Sequence, residues 1–121
     1  MLAISVLEDC HARHVLVRGK ADLSSLLCAC MLGHFYALIS DDSRALSILN
    51  DAESNSRAVY GEASVIACHC KYHLGVALFI TKNTSAALEC LLPLTDTTVL
   101  PGADVKLLFG YSISHVFSCF S

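Results

Sequence analysis

The chain has 121 residues, a length that fits one domain. Hydrophobic residues make up 55 % and charged residues only 16 %, which is more apolar than the surface of a free-standing domain usually carries. The formal net charge is −3 and the eight Lys and Arg are spread along the whole chain, which excludes the clustered basic footprint of a nucleic-acid binder.

Residues 1–17 read as a helix, with Gly19 as its stop. Glu8 and Asp9 lie early and no basic stretch precedes an apolar run, so a secretory signal is not expected. Leu23 to Ser40 is the longest uncharged run, but Ser24, Ser25, His34 and Ser40 interrupt it. It therefore reads as a buried helix rather than a membrane span. Within it Leu23, Leu26, Leu27, Cys30, Met31, Leu32, Phe35 and Leu38 recur at helical spacing on two faces, and Asp22 stands where an N-cap belongs.

Ser40–Asp41–Asp42–Ser43 is a turn whose side chains can cap the next helix. That helix carries Ala45, Leu46, Ile48, Leu49 and Ala52 on one face, and the polar stretch 50–56 is expected to end it. A second long helix is expected from Arg57 to Thr81, followed by a break with Asn83 or Thr84 as N-cap. Ala86 to Leu92 form a short helix that Pro93 should end, because proline lacks the backbone N–H. A loop then closes at Pro101–Gly102, and a third long helix is expected from Asp104 toward Phe120.

Three anchors recur along the chain: Leu32–Gly33, Leu74–Gly75 and Phe109–Gly110. Gly33 and Gly75 are 42 residues apart, Gly75 and Gly110 are 35 apart, and Ala45 and Ala87 each follow their glycine by 12. Leu49 and Leu91 each lie four beyond those alanines. A helical hairpin needs a small residue where its two helices cross. A glycine inside a helix costs about 1 kcal/mol, which close approach of the second helix offsets. The alanine is expected to form the other half of the crossing, with the leucine filling the groove beyond it.

This pattern resembles the tetratricopeptide repeat. Leu32, Gly33, Tyr36, Ala45, Leu49 and Ala52 match in a first copy; Leu74, Gly75, Leu78, Ala87 and Leu91 match in a second; Phe109, Gly110 and Ile113 begin a third. The usual Trp position holds Ala29 and Lys71, and the closing Pro is missing at Arg57 and Val99. The first interval is also longer than the family's period of about 34 residues, which suggests an extended first helix in the second copy. The resemblance implies an all-α fold, a right-handed α-solenoid of antiparallel helix pairs with about two and a half repeats. Residues 1–121 would form one segment, divided into a helix at 1–17, repeats at 21–54 and 57–94, and a half repeat at 103–120. Degenerate repeats of this kind also look similar to those of tetratricopeptide scaffolds in membrane trafficking, such as that of a phosphatidylinositol 4-kinase complex.

Seven cysteines is an odd number, and without a secretory signal a disulfide framework is not expected. Cys68 and Cys70, like Cys28 and Cys30, are two apart, so on a helix they diverge by about 200° and cannot share one ion. His69 and His73 are four apart but lack a third ligand, and His11 with His14 beside Cys10 reads as a polar helix face. No metal, cofactor or catalytic residue is therefore expected, and no enzyme activity.

The resemblance implies a non-enzymatic scaffold for protein–protein interaction inside a larger intracellular assembly. A cytoplasmic location is expected, peripheral at a membrane only through that complex. Other proteins are the expected partners, with no nucleic acid and no small-molecule substrate. His34, Lys71, Tyr72, His73 and Tyr111 are the candidate partner contacts, because they are polar or aromatic residues of the first helices that the crossings do not need. The competing expectation is a small membrane-associated helical protein using 23–39 and 107–120.

Overall fold

The computed structural model describes residues 2–95. Over that range the fold is all-α, with five helices and a closing 3-10 turn: α1 (Leu2–Arg18), α2 (Leu23–Leu38), α3 (Asp42–Tyr60), α4 (Val65–Ile80), α5 (Thr84–Leu91) and the turn Leu92–Thr95. The expected half repeat at 103–120, with Phe109, Gly110 and Tyr111, lies outside the described residues.

Short polar side chains start the long helices. The Asp22 carboxylate accepts from the Ser24 N–H at 3.0 Å, and Ser64 Oγ accepts from the Ala67 N–H at 3.2 Å. Each satisfies an N–H that a helix start leaves without a partner. The turns α2–α3 and α4–α5 are built alike. Ser40 (φ 64°) and Lys82 (φ 68°) both take the left-handed conformation. Around them the Asp41 N–H donates to the Tyr36 carbonyl at 2.9 Å, and the Asn83 N–H donates to the Leu78 carbonyl at 2.8 Å. Both are reverse bonds that close a helix C-terminus by satisfying its last carbonyls. Ser40 and Lys82 are 42 residues apart, as are Asp22 and Ser64, Leu23 and Val65, and Gly33 and Gly75. The backbone itself thus repeats with the spacing of the glycines.

The boundary between the two hairpins differs from the sequence expectation. The polar stretch 50–56 does not end the helix, and Arg57 does not start one, because α3 continues to Tyr60. Ala45, Leu49, Ala52 and Ser56 fall on one helical stripe and are all buried, so the polar residues between them simply face outward. An Arg57–Glu53 ion pair at 3.2 Å spans one exposed turn, and Tyr60 Oη donates to the Ala21 carbonyl at 2.7 Å, tying the end of α3 to the start of α2. Gly61 then stops the helix with φ 94°, a conformation suited to glycine. The extra length of the first copy therefore lies in its second helix, with 19 residues in α3 against 8 in α5. The first helices, α2 and α4, have 16 residues each.

α1 packs on α2, α3 packs on both α2 and α4, α2 also packs directly on α4, and α5 packs on α4. The main core joins Ile4 of α1 to Leu32, Tyr36 and Ala37, to Ala45 and Leu49, and to Leu74 and Ala77. Tyr36 Oη reaches out of it and donates to Glu8 Oε2 at 2.8 Å. At each hairpin crossing it is the leucine, rather than the alanine, that takes the space over the glycine. A Cβ on Gly33 would lie 2.4 Å from Leu49 Cγ, and one on Gly75 would lie 2.6 Å from Leu91 Cδ2. Both distances are far inside van der Waals contact. Ala45 and Ala87 are fully buried beside them.

Candidate functional site

Of the repeat anchors, Leu32, Tyr36, Ala45, Leu49, Leu74, Ala87 and Leu91 are buried, and Leu78 is half-buried. They form the interior of the hairpins and leave the outer faces free for function. The outer face of α2 is apolar: Leu23, Leu27, Met31 and Leu38 are all about half exposed. His34 falls on the same stripe and is half-buried.

The corresponding stripe of α4, 42 residues on, begins with Val65, continues through His69 and His73, and ends with Ile80. The His69 and His73 rings meet edge to face with centroids 4.5 Å apart, and Tyr72 meets His73 at 5.2 Å. Burial, and secondarily the neighbouring imidazoles of His69 and His34, lower His73 to about 4. Burial likewise lowers His34 and His69. His73 Nδ1 is buried with no hydrogen-bond partner among the described residues. At neutral pH this part of the face presents uncharged rings.

The candidate contacts therefore divide. His34, Lys71 and His73 are half-buried on the first helices. Tyr72 does not belong with them. It is only 9 % exposed and packs into the core with Cys68, Val76, Leu91 and Leu94, because α5 and the turn after it cover that side of α4.

Among the described residues two thiol pairs cross between helices, and neither was legible in the spacing. Cys30 Sγ of α2 donates to Cys70 Sγ of α4 at 3.7 Å inside the core. The bond to Cys70, together with burial, holds the Cys30 thiol well above the ordinary range. Cys10 Sγ of α1 lies 3.6 Å from Cys28 Sγ of α2 and 3.6 Å from His14 Nδ1. Those three side chains are half-buried rather than enclosed. Cys10 and His14 are four apart on one helix face, as the sequence shows. Cys28 reaches them only because α2 turns back along α1, so a residue 18 positions away in the chain becomes the third member.

A cavity of about 190 Å³ lies among α1, α2 and α3, with His11, Lys20, Asp51 and Asn55 among its lining. It is below the size range of about 300–1,000 Å³ typical of small-molecule sites, so it serves no evident ligand. Among the described residues, no helix is long and apolar enough to cross a membrane. Compared with protein-family models, with curated proteins and with solved structures, the chain matches none of them.

Proposed function

We propose that the chain is a segment of a right-handed α-solenoid of tetratricopeptide type, and that it serves as a non-enzymatic scaffold for protein–protein interaction in a larger intracellular assembly. The repeat supports the solenoid. Two hairpins with side-chain-capped first helices, the same closing turns and the same glycine–leucine crossing stand 42 residues apart, and α2 packs directly on α4. In a stack of hairpins each repeat packs on its neighbours, and such contacts between successive hairpins propagate the array.

The observation that carries the function is the outer face of α2. Four large apolar side chains, Leu23, Leu27, Met31 and Leu38, lie exposed on one stripe of a helix whose other faces are packed. Exposed large apolar side chains gathered on one stripe in this way support an interaction surface. The half-buried His34, Lys71 and His73 lie on the same pair of helices and are proposed to flank it. A location at a membrane would be peripheral and through the complex.

In-cell photocrosslinking tests this directly. A photoreactive residue at Met31 is expected to give a discrete adduct with another protein. The same residue at the exposed Glu89 of α5 is expected to give none. Crosslinking of Met31 to lipid alone, or retention of an unaggregated chain in the pellet after a carbonate wash, would favour the membrane-associated alternative.

A further inference from the structure

We infer that Cys10, His14 and Cys28 form a binding site for a thiophilic divalent cation, Zn²⁺, which clips α1 onto α2. Three potential donor atoms from these residues lie within 4.8 Å of one another. Two of the three separations match those of a tetrahedral zinc site. With Zn–S bonds of about 2.3 Å and Zn–N bonds of about 2.0–2.1 Å, a tetrahedral site has S···S edges of about 3.8 Å and S···N edges of about 3.6 Å. Cys10 Sγ is 3.6 Å from Cys28 Sγ and 3.6 Å from His14 Nδ1. The third separation, Cys28 to His14, is within 4.8 Å, so an ion can enter once the His14 ring turns its nitrogen from the Cys10 carbonyl toward the two sulfurs.

The Cys30–Cys70 pair provides the internal comparison. Its sulfurs are as close, at 3.7 Å, but both residues are buried in the core and no third donor joins them among the described residues. That pair is packing. The Cys10 group has a third donor and access to solvent, because Cys10 and His14 line an open hollow of about 340 Å³. Asp9 and Arg13 also line that hollow, and their opposite charges leave it without a strong field of either sign. The three residues leave a fourth ligand to be supplied by water, which the open hollow admits.

Weak bonds hold the three side chains in place. His14 Nδ1 is 2.8 Å from the Cys10 carbonyl oxygen, so it carries the proton and donates there. Burial and the hydrogen bond with Cys10 raise the Cys28 thiol. Binding must release these protons, since thiolate and neutral imidazole are the ligating forms. Softness selects the ion, because two sulfurs and one imidazole favour Zn²⁺ over Mg²⁺ or Ca²⁺.

The test is a titration of the reduced full-length chain with Co²⁺ alone, read by the thiolate-to-cobalt charge-transfer band and the visible bands of tetrahedral Co²⁺, then displaced by Zn²⁺. One equivalent is expected to bind. Cys28→Ser and His14→Gln are each expected to weaken binding by more than the about 10–100-fold that even outer-shell changes cost, while Cys68→Ala leaves it unchanged. Amide exchange supplies the second readout: Zn²⁺ is expected to slow exchange across 2–18 in the parent chain and not in Cys28→Ser. Three results would overturn the site. One is the absence of a tetrahedral spectrum; another is binding that survives Cys28→Ser and His14→Gln in chains of unchanged helicity. The third is oxidation of Cys10 with Cys28 to a disulfide in place of metal uptake by the reduced chain.

Discussion

Leu49→Ala is expected to destabilise the chain by about 2–5 kcal/mol, the cost of removing a large side chain from a core that cannot collapse around the loss. Leu49 is fully buried and lies directly over Gly33. Gly33→Ala is expected to cost about 1–3 kcal/mol by overpacking, even though alanine is the better helix former by about 1 kcal/mol. The new methyl would meet Leu49 Cγ at 2.4 Å and both of its terminal carbons at 2.7 and 2.8 Å. A branch point fixed in the core cannot swing aside as a flexible chain end can. In the double variant the methyl added at position 33 enters the space that Leu49 vacates. Its cost should fall below the sum of the two single changes, with a coupling of about 0.5–3 kcal/mol. Urea denaturation followed by circular dichroism measures all three. Additive costs would mean that the two residues do not meet. At Gly75 and Leu91 the coupling should have the same sign, since the added methyl there would meet Leu91 Cδ2 at 2.6 Å and the branch point Cγ at 2.7 Å.

Acid is expected to weaken the fold through His73. Burial, with the help of His69 and His34, lowers its imidazole from 6.5 to about 4, so the folded chain resists a proton that the unfolded chain accepts. The contribution is intact above pH 6.5. It declines as the pH falls below that value, and the loss is complete below about pH 4. It amounts to about 3 kcal/mol, from a shift of roughly two and a half pH units at 1.36 kcal/mol each. His11, His34 and His69 are shifted in the same direction and add to it. The urea midpoint should therefore drop steadily between about pH 7 and about pH 4.5. His73→Leu should reduce that dependence, leaving the smaller part due to the other histidines, while keeping the apolar contacts of the ring. A midpoint that holds constant or rises over the same range would contradict the burial of His73.

Much of the helical layout was legible because each signal had a local cause. Asp22 at a helix start, Gly19 past a helix end and Pro93 after the last short helix each act on the backbone next to them, and all three fall where the structure has an end or a cap. The end of α3 was harder to read. A polar stretch resembles a loop unless its buried stripe is recognised, and here that stripe is completed by the small residues Ala52 and Ser56 rather than by large apolar ones. The real boundary did carry a signal. Gly61 followed by Ser64 pairs a left-handed stop with an N-cap, and that pairing separates the two hairpins.

The candidate sites depend on how helices pack, so spacing alone reached only part of them. His34 and His73 could be placed on the first helices from their positions. That Tyr72 is covered depends on α5 and the turn beyond it. The approach of Cys28 to Cys10 depends on how α1 lies along α2. Divergence of Cys28 from Cys30 on one helix, which argues against a shared ion, is also what lets each meet a different neighbour: Cys10 on one side and Cys70 on the other.

Stacking of the second hairpin on the first, α4 against α2, is the feature on which the solenoid and its outer face depend. Disulfide trapping measures it in solution. The chain would keep Cys30 and Cys70 and carry alanine at Cys10, Cys28, Cys68, Cys90 and Cys119. With the sulfurs 3.7 Å apart, oxidation of the monomer is expected to join Cys30 to Cys70, recovered after digestion as one linked peptide pair. Linkage of Cys30 or Cys70 only between separate molecules, in a chain of unchanged helicity, would contradict the stacked arrangement.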